Sequence, residues 1–258
     1  MSRLKYPRWI EYCANWGCNL KCSHCCCGAF MFKSNDYIPL DQVQSELEPW
    51  ANRVRPLHFY LVGGEPFIHP DFAELIKMCK KIWKTPLYVS TNGMTMESCP
   101  EEFMKVCRDT EAVLYVTIKK SFRPFENNYN VDKVQRGIQR WRDYGIQIMS
   151  PDRWQCYLWN FDSEGKPHPF YSDGSVAWRD CGSYTQCGSH IYDHKLYSCF
   201  RTAVWQAGID RGTLNEEEWR LCYRPAEVTD SDDIILNTLT VPRPMADCSK
   251  CSPTYGYI

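Results

Sequence analysis

The segment Cys18-Asn-Leu-Lys-Cys22-Ser-His-Cys25 carries three thiols in a C-x3-C-x2-C spacing. Thiolates are the usual protein ligands of iron–sulfur clusters, and their number decides whether every iron of a cluster is capped. Three cysteines at this spacing hold three irons of a [4Fe–4S] cube and leave the fourth iron open to another ligand. A structural zinc site normally takes four protein ligands instead. Because Cys26 and Cys27 follow directly, spacing alone leaves a shifted ligand open.

A second motif, Gly63-Gly64-Glu65-Pro66, follows the apolar run at residues 58–62. The run predicts a buried strand. Two glycines at the C-terminal end of a strand let the backbone approach a ligand closely, because glycine has no Cβ atom. Glu65 can accept a hydrogen bond from an ammonium group at the same place. The motif therefore predicts a ligand site at this strand end.

Together the two motifs resemble those of the radical S-adenosylmethionine (SAM) superfamily. In that family three cysteines hold a [4Fe–4S] cluster, and a Gly-Gly-Glu-Pro segment binds the methionyl amino group of SAM. The resemblance implies that Cys18, Cys22 and Cys25 hold the cluster and that residues 63–66 contact SAM. His24 takes the position that packs against adenine in the family, where an aromatic residue is more usual. The implied chemistry is reductive cleavage of SAM to a 5′-deoxyadenosyl radical.

Strand and helix signals alternate along the first part of the chain, which predicts an α/β fold. The predicted strands are residues 9–13, 58–62, 87–90, 113–118 and 146–149, with a further strand at 155–161. A helix is predicted at 131–144. Parallel β/α units close into full or partial barrels whose chemistry lies at the C-terminal ends of the strands. With the resemblance, this predicts a partial (β/α) barrel core in residues 1–165.

A second group of cysteines lies beyond residue 165 and offers five candidate ligands: Cys181, Cys187, Cys199, Cys248 and Cys251. A C-x2-C pair can hold two corners of one cluster, and distant cysteines can complete the set if the fold brings them together. On spacing alone, a structural zinc site is the alternative. Residues 192–199 predict a hairpin that delivers Cys199 to this site.

This second group resembles the C-terminal cysteine-rich extension of radical SAM enzymes that carry a twitch or SPASM domain. The resemblance implies one auxiliary [4Fe–4S] cluster, because the further cysteines of the full SPASM form do not follow Cys251. The expected ligands are Cys181, Cys199, Cys248 and Cys251. Cys187 is the rival for one of these positions. The twitch-like extension is predicted to occupy residues 166–258.

Composition limits the classes of function. The 258 residues carry a formal net charge of −1, which gives no long-range attraction to nucleic acid or to an anionic membrane. No apolar run approaches the roughly 20 residues of a transmembrane helix, and the N-terminus lacks the apolar segment of a signal peptide. Since the cytosol keeps thiols reduced, 16 cysteines without an export signal indicate metal sites in a cytoplasmic protein.

Cysteines outside the two groups have an ordinary structural interpretation. A single cysteine most often serves as a small buried apolar side chain. We expect this role for Cys79, Cys99, Cys107 and Cys222.

Polar residues at other strand ends are candidates for contacts with SAM. Ser90, Asn92 and Thr117 each lie where a predicted strand ends. They could contact the ribose or the carboxylate of SAM. Their alternative role is to cap turns or to bond the local backbone.

Substrate contacts are expected on the loops after the later strands. Lys119 or Arg153 could hold or deprotonate a substrate hydroxyl, although charged loop residues are usually only solvated. Cys156 or Cys187 could return a hydrogen atom to a substrate radical. In that case the product would be an epimer.

The favoured function is the two-electron oxidation of a small polar molecule, similar to a sugar or an aminocyclitol. The auxiliary cluster would accept the second electron, and a donor such as flavodoxin or ferredoxin would supply the first. The alternatives are a radical SAM maturase acting on a peptide and a radical SAM epimerase. A non-catalytic zinc or iron–sulfur module is an alternative from a different class, but it would not need the Gly-Gly-Glu-Pro motif.

Overall fold

The computed structural model describes residues 3–118, 129–150, 155–156, 158–181, 188–240, 244–253 and 256–257. Seven strands from these ranges form the main sheet. Their spatial order is β10 (Lys195–Tyr197), β9 (Ser189–Tyr192), β1 (Leu4–Asn15), β2 (Val54–Gly63), β3 (Leu87–Thr91), β4 (Val113–Val116) and β5 (Ile148–Met149).

Most neighbouring strands of the main sheet run parallel. Strands β1 to β5 pair in parallel in chain order, and β9 pairs in parallel with the other edge of β1. Strand β10 is antiparallel to β9. The α/β class and its parallel sheet are therefore confirmed. Since parallel strands end at the same edge of a sheet, Asn15, Gly63 and Thr91 lie side by side at the carboxyl edge.

Helices connect the strands, as the alternating pattern predicts. They are α1 (Leu40–Arg53), α2 (Phe72–Trp83), α3 (Glu101–Asp109), α4 (Val131–Asp143), α5 (Gly174–Asp180), α6 (Phe200–Asp210), α7 (Glu216–Trp219) and α8 (Asp232–Leu239). Short 3-10 helices lie at Ala29–Met31, Pro66–Ile68 and Ala246–Lys250. Within the described ranges, no helix is long and apolar enough to cross a membrane.

The two faces of the sheet differ in chemistry. On β2, Phe59 is fully buried and stacks on Trp83 of α2, with ring centroids 4.9 Å apart. Alternation along the strand directs the next residue, Tyr60, to the opposite face. There Tyr60 stacks on Tyr88 of β3 at 4.6 Å. One face therefore packs against helices, and the other presents phenol rings.

The strand predicted at residues 155–161 is wrong as a single element. Strand β6 (Gln155–Cys156) pairs with β11 (Gly256–Tyr257), whereas β7 (Asn160–Phe161) pairs with β8 (Pro167–His168). Neither pair belongs to the main sheet. A tight turn after β7 explains the second pair, because Asp162 Oδ1 accepts from the backbone N–H groups of Glu164 and Lys166 at 2.9 Å each.

The hairpin predicted within residues 192–199 is present as β9 and β10. Its turn residues, Asp193 and His194, both have positive φ angles, of 47° and 61°. This is the signature of a type I′ turn, which suits the twist of a two-stranded hairpin. Both strands come from the part of the chain after residue 165, yet they extend the main sheet. The boundary between residues 165 and 166 stays a prediction.

Candidate functional site

The cysteine loop, residues 16–38, follows β1 at the carboxyl edge of the sheet. Cys18 and Cys22 are buried, and Cys25 is half-buried. A turn fixes the positions of Cys22 and Cys25 relative to each other, because the Cys25 N–H donates to the Cys22 carbonyl at 3.2 Å. The Gly28 N–H donates to the Cys25 carbonyl at 3.0 Å and continues the turn. The backbone itself therefore brings Cys22 and Cys25 together.

Two side chains from outside the turn hold the cysteine loop in place. Lys21 Nζ donates to the carbonyls of Ala29 and Phe32 at 3.2 and 2.6 Å. The Trp159 indole N–H donates to the Cys25 carbonyl at 2.8 Å. Neither Lys21 nor Trp159 was singled out by sequence reasoning. The local signal for Lys21 was its place between two of the predicted ligand cysteines, Cys18 and Cys22.

The two extra cysteines after the motif differ in exposure. Cys26 is exposed, whereas Cys27 is buried. Their sulfur atoms lie 3.7 Å apart. Cys27 also interacts with the thiol of Cys13 on β1, so it faces the interior below the cysteine loop. A ligand shifted to Cys26 would need to turn inward from solvent.

The Cys18 sulfur has the hydrogen-bond donors that a bound thiolate uses. It accepts from the Leu20 N–H at 3.3 Å and from Asn92 Nδ2 at 3.6 Å. Hydrogen bonds to cluster sulfurs are a normal part of iron–sulfur sites. In the part of the chain that the structure describes, no three histidine, cysteine, aspartate or glutamate side chains converge on a single metal ion. The fit to a cluster rests on the thiols themselves and on the two donors at the Cys18 sulfur, since an iron–sulfur cube takes each thiolate on a separate iron.

The Gly-Gly-Glu-Pro loop packs directly on the start of the cysteine loop. Gly63 has a φ angle of 141°, and a Cβ atom on it would lie 2.3 Å from the Asn15 carbonyl oxygen. A Cβ on Gly64 would lie 1.9 Å from the Gly17 carbonyl oxygen. The glycines thus allow one loop to touch the other, a role that the sequence prediction of close approach to a ligand did not include.

Hydrogen bonds join these two loops. The Gly64 N–H donates to the Asn15 carbonyl at 2.6 Å, and the Glu65 N–H donates to the Gly17 carbonyl at 3.0 Å. The buried Asn15 side chain donates to the carbonyls of Gly17 and Glu65 at 3.0 and 2.7 Å. Asn15 is a further residue that sequence reasoning missed, although its place at a strand end was visible.

The Glu65 carboxylate is fully buried and binds the end of β3. Oε1 accepts from the Thr91 hydroxyl at 2.7 Å and from the Phe67 N–H at 3.2 Å. Oε2 accepts from the Asn92 N–H at 2.8 Å. An ammonium group at this place would share the carboxylate with these donors. Glu65 therefore has a structural role beside the predicted SAM contact, which stays a prediction.

We expect Glu65→Gln to destabilise the protein by about 1–3 kcal/mol. In either orientation, the NH2 group of the new amide replaces a carboxylate oxygen that accepts from a buried backbone N–H, so that N–H loses its acceptor. The deprived group is the N–H of Asn92 or of Phe67. Anaerobic thermal unfolding of the apoprotein measures the effect. The exposed Glu102→Gln is the matched control and should stay within about 0.5 kcal/mol of wild type. Equal unfolding midpoints for both variants would contradict the role of Glu65.

The other predicted SAM contacts have different surroundings. Ser90 is half-buried, and Asn92 is buried and bonded to both loops. Thr117 is half-buried, and its N–H donates to the Thr91 carbonyl at 3.0 Å, which keeps it at the carboxyl edge. His24 is exposed, with Nδ1 2.9 Å from the Ser23 hydroxyl. The contacts of all four residues with SAM stay predictions.

Most of the predicted substrate residues lie outside the described residues. This is the case for Lys119, Arg153 and Cys187. For Cys156, the structure describes only the backbone, within β6. Their predicted roles stay predictions.

The structure brings cysteines of the second group together. Cys181 follows α5, and Cys199 immediately precedes α6. The pKa of the Cys199 thiol is raised to about 12, mainly by burial and in smaller part by the nearby thiols of Cys181 and Cys248. Burial also raises the pKa of Cys248, to about 11, and Cys181 contributes. Three of the five candidate ligands are therefore close enough to interact.

The C-terminal pair of this group is held by the segment before α5. The Ser172 hydroxyl donates to the Cys251 carbonyl at 2.7 Å, and its N–H donates to the Ser249 carbonyl at 2.7 Å. Gly174 lies so close that a Cβ atom on it would be 3.1 Å from the Ser249 nitrogen. This packing places Cys248 and Cys251 beside α5, the helix that directly precedes Cys181.

The expectation that four other cysteines are buried is wrong for one of them. Cys79, Cys99 and Cys107 are buried, but Cys222 is exposed. Its N–H donates to both carboxylate oxygens of Asp247, at 3.2 and 2.9 Å. Because Asp247 precedes Cys248 directly, this bond places Cys222 near the second cysteine group rather than in the core.

A chain of tryptophans connects the two cysteine groups. Trp159, which bonds the Cys25 carbonyl, lies 5.9 Å from Trp219 between ring centroids. Trp219 lies 5.2 Å from Trp205. Lys250, between the two C-terminal cysteines, has its Nζ 5.9 Å from the Trp205 ring. The three tryptophan rings therefore form a continuous set of apolar contacts between the two cysteine groups.

The sheet face opposite the helices contains a buried carboxyl group. Glu11 of β1 accepts from the Trp9 indole N–H at 2.9 Å and from the Gly188 N–H at 3.2 Å. Burial raises the pKa of this carboxyl to about 7, although Arg8 and other groups lower it in part. On β9, burial lowers the pKa of His190 to about 3, so this neighbour of Glu11 stays neutral.

We expect Glu11→Gln to stabilise the protein at pH 8 by on the order of 3 kcal/mol and to have little effect near pH 4.5. The raised pKa means that the folded state binds a proton more tightly than the unfolded state. The contribution of Glu11 is therefore favourable at low pH and is lost as pH rises from the unfolded value of 4.5 to about 7. Glutamine keeps the acceptor for both N–H groups. Unfolding midpoints of both proteins between pH 4.5 and 8 measure the effect, and parallel curves would contradict it.

The comparisons with known proteins agree with this site. A family model described as the Radical SAM superfamily matches residues 16–151. The match covers more than half of the chain and includes the cysteine loop and the Gly-Gly-Glu-Pro loop. The chain belongs to the radical SAM superfamily. This confirms the resemblance seen in the motifs, and it supports SAM and one [4Fe–4S] cluster as cofactors.

Individual relatives match only part of the chain. A probable GTP 3′,8-cyclase from Methanococcus vannielii is 26% identical over 128 residues, which are 48% of this chain and 41% of that protein. The solved structure of native anSMEcpe with bound AdoMet and Cp18Cys peptide is 20% identical, with a TM-score of 0.43, over 56% of this chain and 42% of that chain. Streptococcus suis SuiB is 15% identical, with a TM-score of 0.45, over 56% and 32%. The chain thus spans less than half the length of each of these proteins.

Proposed function

We propose that the chain is a radical SAM oxidoreductase that removes two electrons and two hydrogens from a small polar molecule of the sugar or aminocyclitol kind. Cys18, Cys22 and Cys25 would hold the [4Fe–4S] cluster that binds SAM. When bound, the cluster and SAM supply one-electron reduction and a 5′-deoxyadenosyl radical that abstracts hydrogen. The chain's own task is to hold the cofactors, exclude water and orient one C–H bond of the substrate.

One observation carries the proposal: Asn92 joins the cysteine loop and the Gly-Gly-Glu-Pro loop at the carboxyl edge. Its N–H binds Glu65 Oε2 at 2.8 Å, and its side-chain amide binds Cys18 Sγ at 3.6 Å. The two motifs that the sequence singles out are therefore parts of a single buried network. Such a network suits one composite ligand, a cluster together with SAM.

The second cysteine group supports the oxidative outcome. Removal of one hydrogen atom leaves a carbon radical, which must lose a further electron and a proton to complete a two-electron oxidation. A cluster held by Cys181, Cys199, Cys248 and Cys251 would accept that electron. The mutual interaction of Cys181, Cys199 and Cys248 supports this ligand set. Cys187 remains the rival ligand.

A polar substrate is favoured by the face of the sheet opposite the helices. This face presents the half-buried phenols of Tyr60 and Tyr88, with the buried Glu11 carboxyl group on the neighbouring strand β1. Hydroxyl and amino groups of a substrate can exchange hydrogen bonds with such groups. Oxygen-sensitive clusters also favour a reducing compartment such as the cytoplasm, where flavodoxin or ferredoxin would supply electrons.

The first experiment is cluster analysis of anaerobically reconstituted wild-type protein. We expect about eight irons with matching sulfide per chain, as two [4Fe–4S] clusters require. With SAM and dithionite, 5′-deoxyadenosine should form. Four irons with SAM cleavage would overturn the auxiliary cluster and the argument for oxidation. Zinc without SAM cleavage would overturn the enzyme proposal.

The second experiment identifies the substrate class. Carbon-deuterated polyols, aminocyclitols and short peptides are each incubated with the reconstituted protein and SAM. Deuterium transfer from a polyol or aminocyclitol into 5′-deoxyadenosine, with a product two hydrogens lighter, supports the proposal. Transfer from a peptide alone would favour a maturase. Transfer with a product in which hydrogen replaces the transferred deuterium, with no net loss of hydrogen, would favour an epimerase.

A further inference from the structure

The side-chain amide of Asn92 points at a cluster ligand. Asn92 is 9% exposed and follows the last residue of β3. Its Nδ2 lies 3.6 Å from Cys18 Sγ and 2.8 Å from Asn19 Oδ1, so each amide hydrogen has an acceptor. When Cys18 is a metal-bound thiolate, its sulfur can only accept hydrogen bonds. The Asn92 amide and the Leu20 N–H are then two donors to this sulfur.

The neighbours of Asn92 determine which end of the amide faces the sulfur. The Met94 N–H donates to Asn92 Oδ1 at 2.9 Å, so the oxygen is turned away from Cys18. A flipped amide would place its NH2 group against the Met94 N–H and its oxygen against Asn19 Oδ1. The backbone of Asn92 is also held, because its backbone N–H donates to Glu65 Oε2 at 2.8 Å. The donor is therefore held in position before any cofactor binds.

We propose that Asn92 tunes the reduction potential of the SAM-binding cluster by donating a hydrogen bond to the Cys18 thiolate. The inference rests on the proposed function, since it requires a cluster on Cys18. One-electron reduction adds one negative charge to the cluster and its sulfur ligands. A donor held against one of those sulfurs stabilises the reduced form more than the oxidised form, which makes the potential less negative. Asn92 acts through Cys18 and is a positioning residue.

This role differs from the direct SAM contact predicted from the place of Asn92 in the sequence. A residue that only contacts SAM would change the affinity for SAM and leave the potential of the SAM-free cluster unchanged. A residue that bonds the cluster ligand changes the potential without SAM. The potential of the SAM-free holoenzyme therefore separates the two roles.

The test is a potentiometric titration of reconstituted, SAM-free holoenzyme, followed by electron paramagnetic resonance. The signal that changes on later addition of SAM identifies the SAM-binding cluster. For Asn92→Leu, which removes the donor, we expect reduction to become about tenfold less favourable, a shift of 59 mV to more negative potential for one electron. Asn92→Asp should shift the potential further in the same direction, because it places a carboxylate beside the thiolate.

Asn130→Asp is the matched control, because it makes the same chemical change at an exposed site. Its side chain caps α4 by accepting from the Lys133 N–H at 2.9 Å, a bond that aspartate keeps. This variant should retain the wild-type potential. If Asn92→Leu fails to bind a cluster, Asn92→Asp decides the question, because it keeps the acceptor for the Met94 N–H.

An unchanged potential in the Asn92 variants, at full iron content, would overturn the inference. A changed dissociation constant for SAM with an unchanged potential would also overturn it and would assign Asn92 to SAM. If the wild-type protein shows no [4Fe–4S] signal that responds to SAM, the proposed function itself fails. The two failures are therefore distinguishable.

Discussion

Cys22→Ala is expected to reduce 5′-deoxyadenosine formation to the level of a protein-free control. Cys22 is buried at the centre of the C-x3-C-x2-C spacing, and its carbonyl anchors the turn that leads to Cys25. Without its thiolate, two cysteines remain for three irons of the cube. The measurement is single-turnover SAM cleavage by anaerobically reconstituted protein with dithionite, together with iron content.

Cys26→Ala is the matched control for this loss. Cys26 is also in the cysteine loop, but it is exposed and lies outside the spacing. We expect this variant to keep the iron content and the SAM cleavage of wild type. The reverse result, with an active Cys22→Ala and an inactive Cys26→Ala, would show that the ligand set is shifted along the chain.

Gly64→Ala is expected to destabilise the protein by at least about 3 kcal/mol and to abolish SAM binding. The new Cβ would lie 1.9 Å from the Gly17 carbonyl oxygen and 2.7 Å from that of Trp16. Both are backbone atoms, so the clash is relieved only if the two loops separate. Separation would break the bond from the Gly64 N–H to Asn15. For a chain of this length, the unfolding midpoint should fall by roughly 6–12 °C.

Gly165→Ala separates this clash from the general cost of replacing a glycine. Gly165 has a φ angle of 77°, and a Cβ atom on it would meet nothing within 4 Å. We expect a loss of about 1–2 kcal/mol from backbone strain alone, with SAM binding intact. If Gly64→Ala costs no more than this control and still binds SAM, the close packing of the two loops is not essential.

Local patterns in the sequence were sufficient to predict the central motifs of the candidate site. The apolar run at 58–62 predicted β2, and the Gly-Gly-Glu-Pro motif then fell at the carboxyl edge because parallel strands end there together. The spacing of Cys18, Cys22 and Cys25 needed no tertiary information. The hairpin before Cys199 was predicted from the residues of segment 192–199 alone, and the pairing of β9 with β10 confirms it.

Other features depended on contacts between distant residues. The binding of Glu65 to Thr91 and Asn92 joins separate strand ends, and no local pattern reports such a pair. The bond from the Cys222 N–H to Asp247, 25 positions later, likewise joins residues that no local pattern connects. The division of the strand predicted at 155–161 depends on a turn that starts at Asp162 and on a separate partner, β11.

The position of β9 beside β1 also determines how the protein can fold as it is made. Glu11 accepts one of its two described hydrogen bonds from the N–H of Gly188, which directly precedes β9 and lies 177 positions later. At a ribosomal rate of about 5–20 residues per second, roughly 9–35 s pass between the synthesis of these two residues. During that interval the outer edge of β1 has no strand to pair with, and an open edge is a template for aggregation. We therefore expect the nascent chain to aggregate most readily in the interval before β9 has been made.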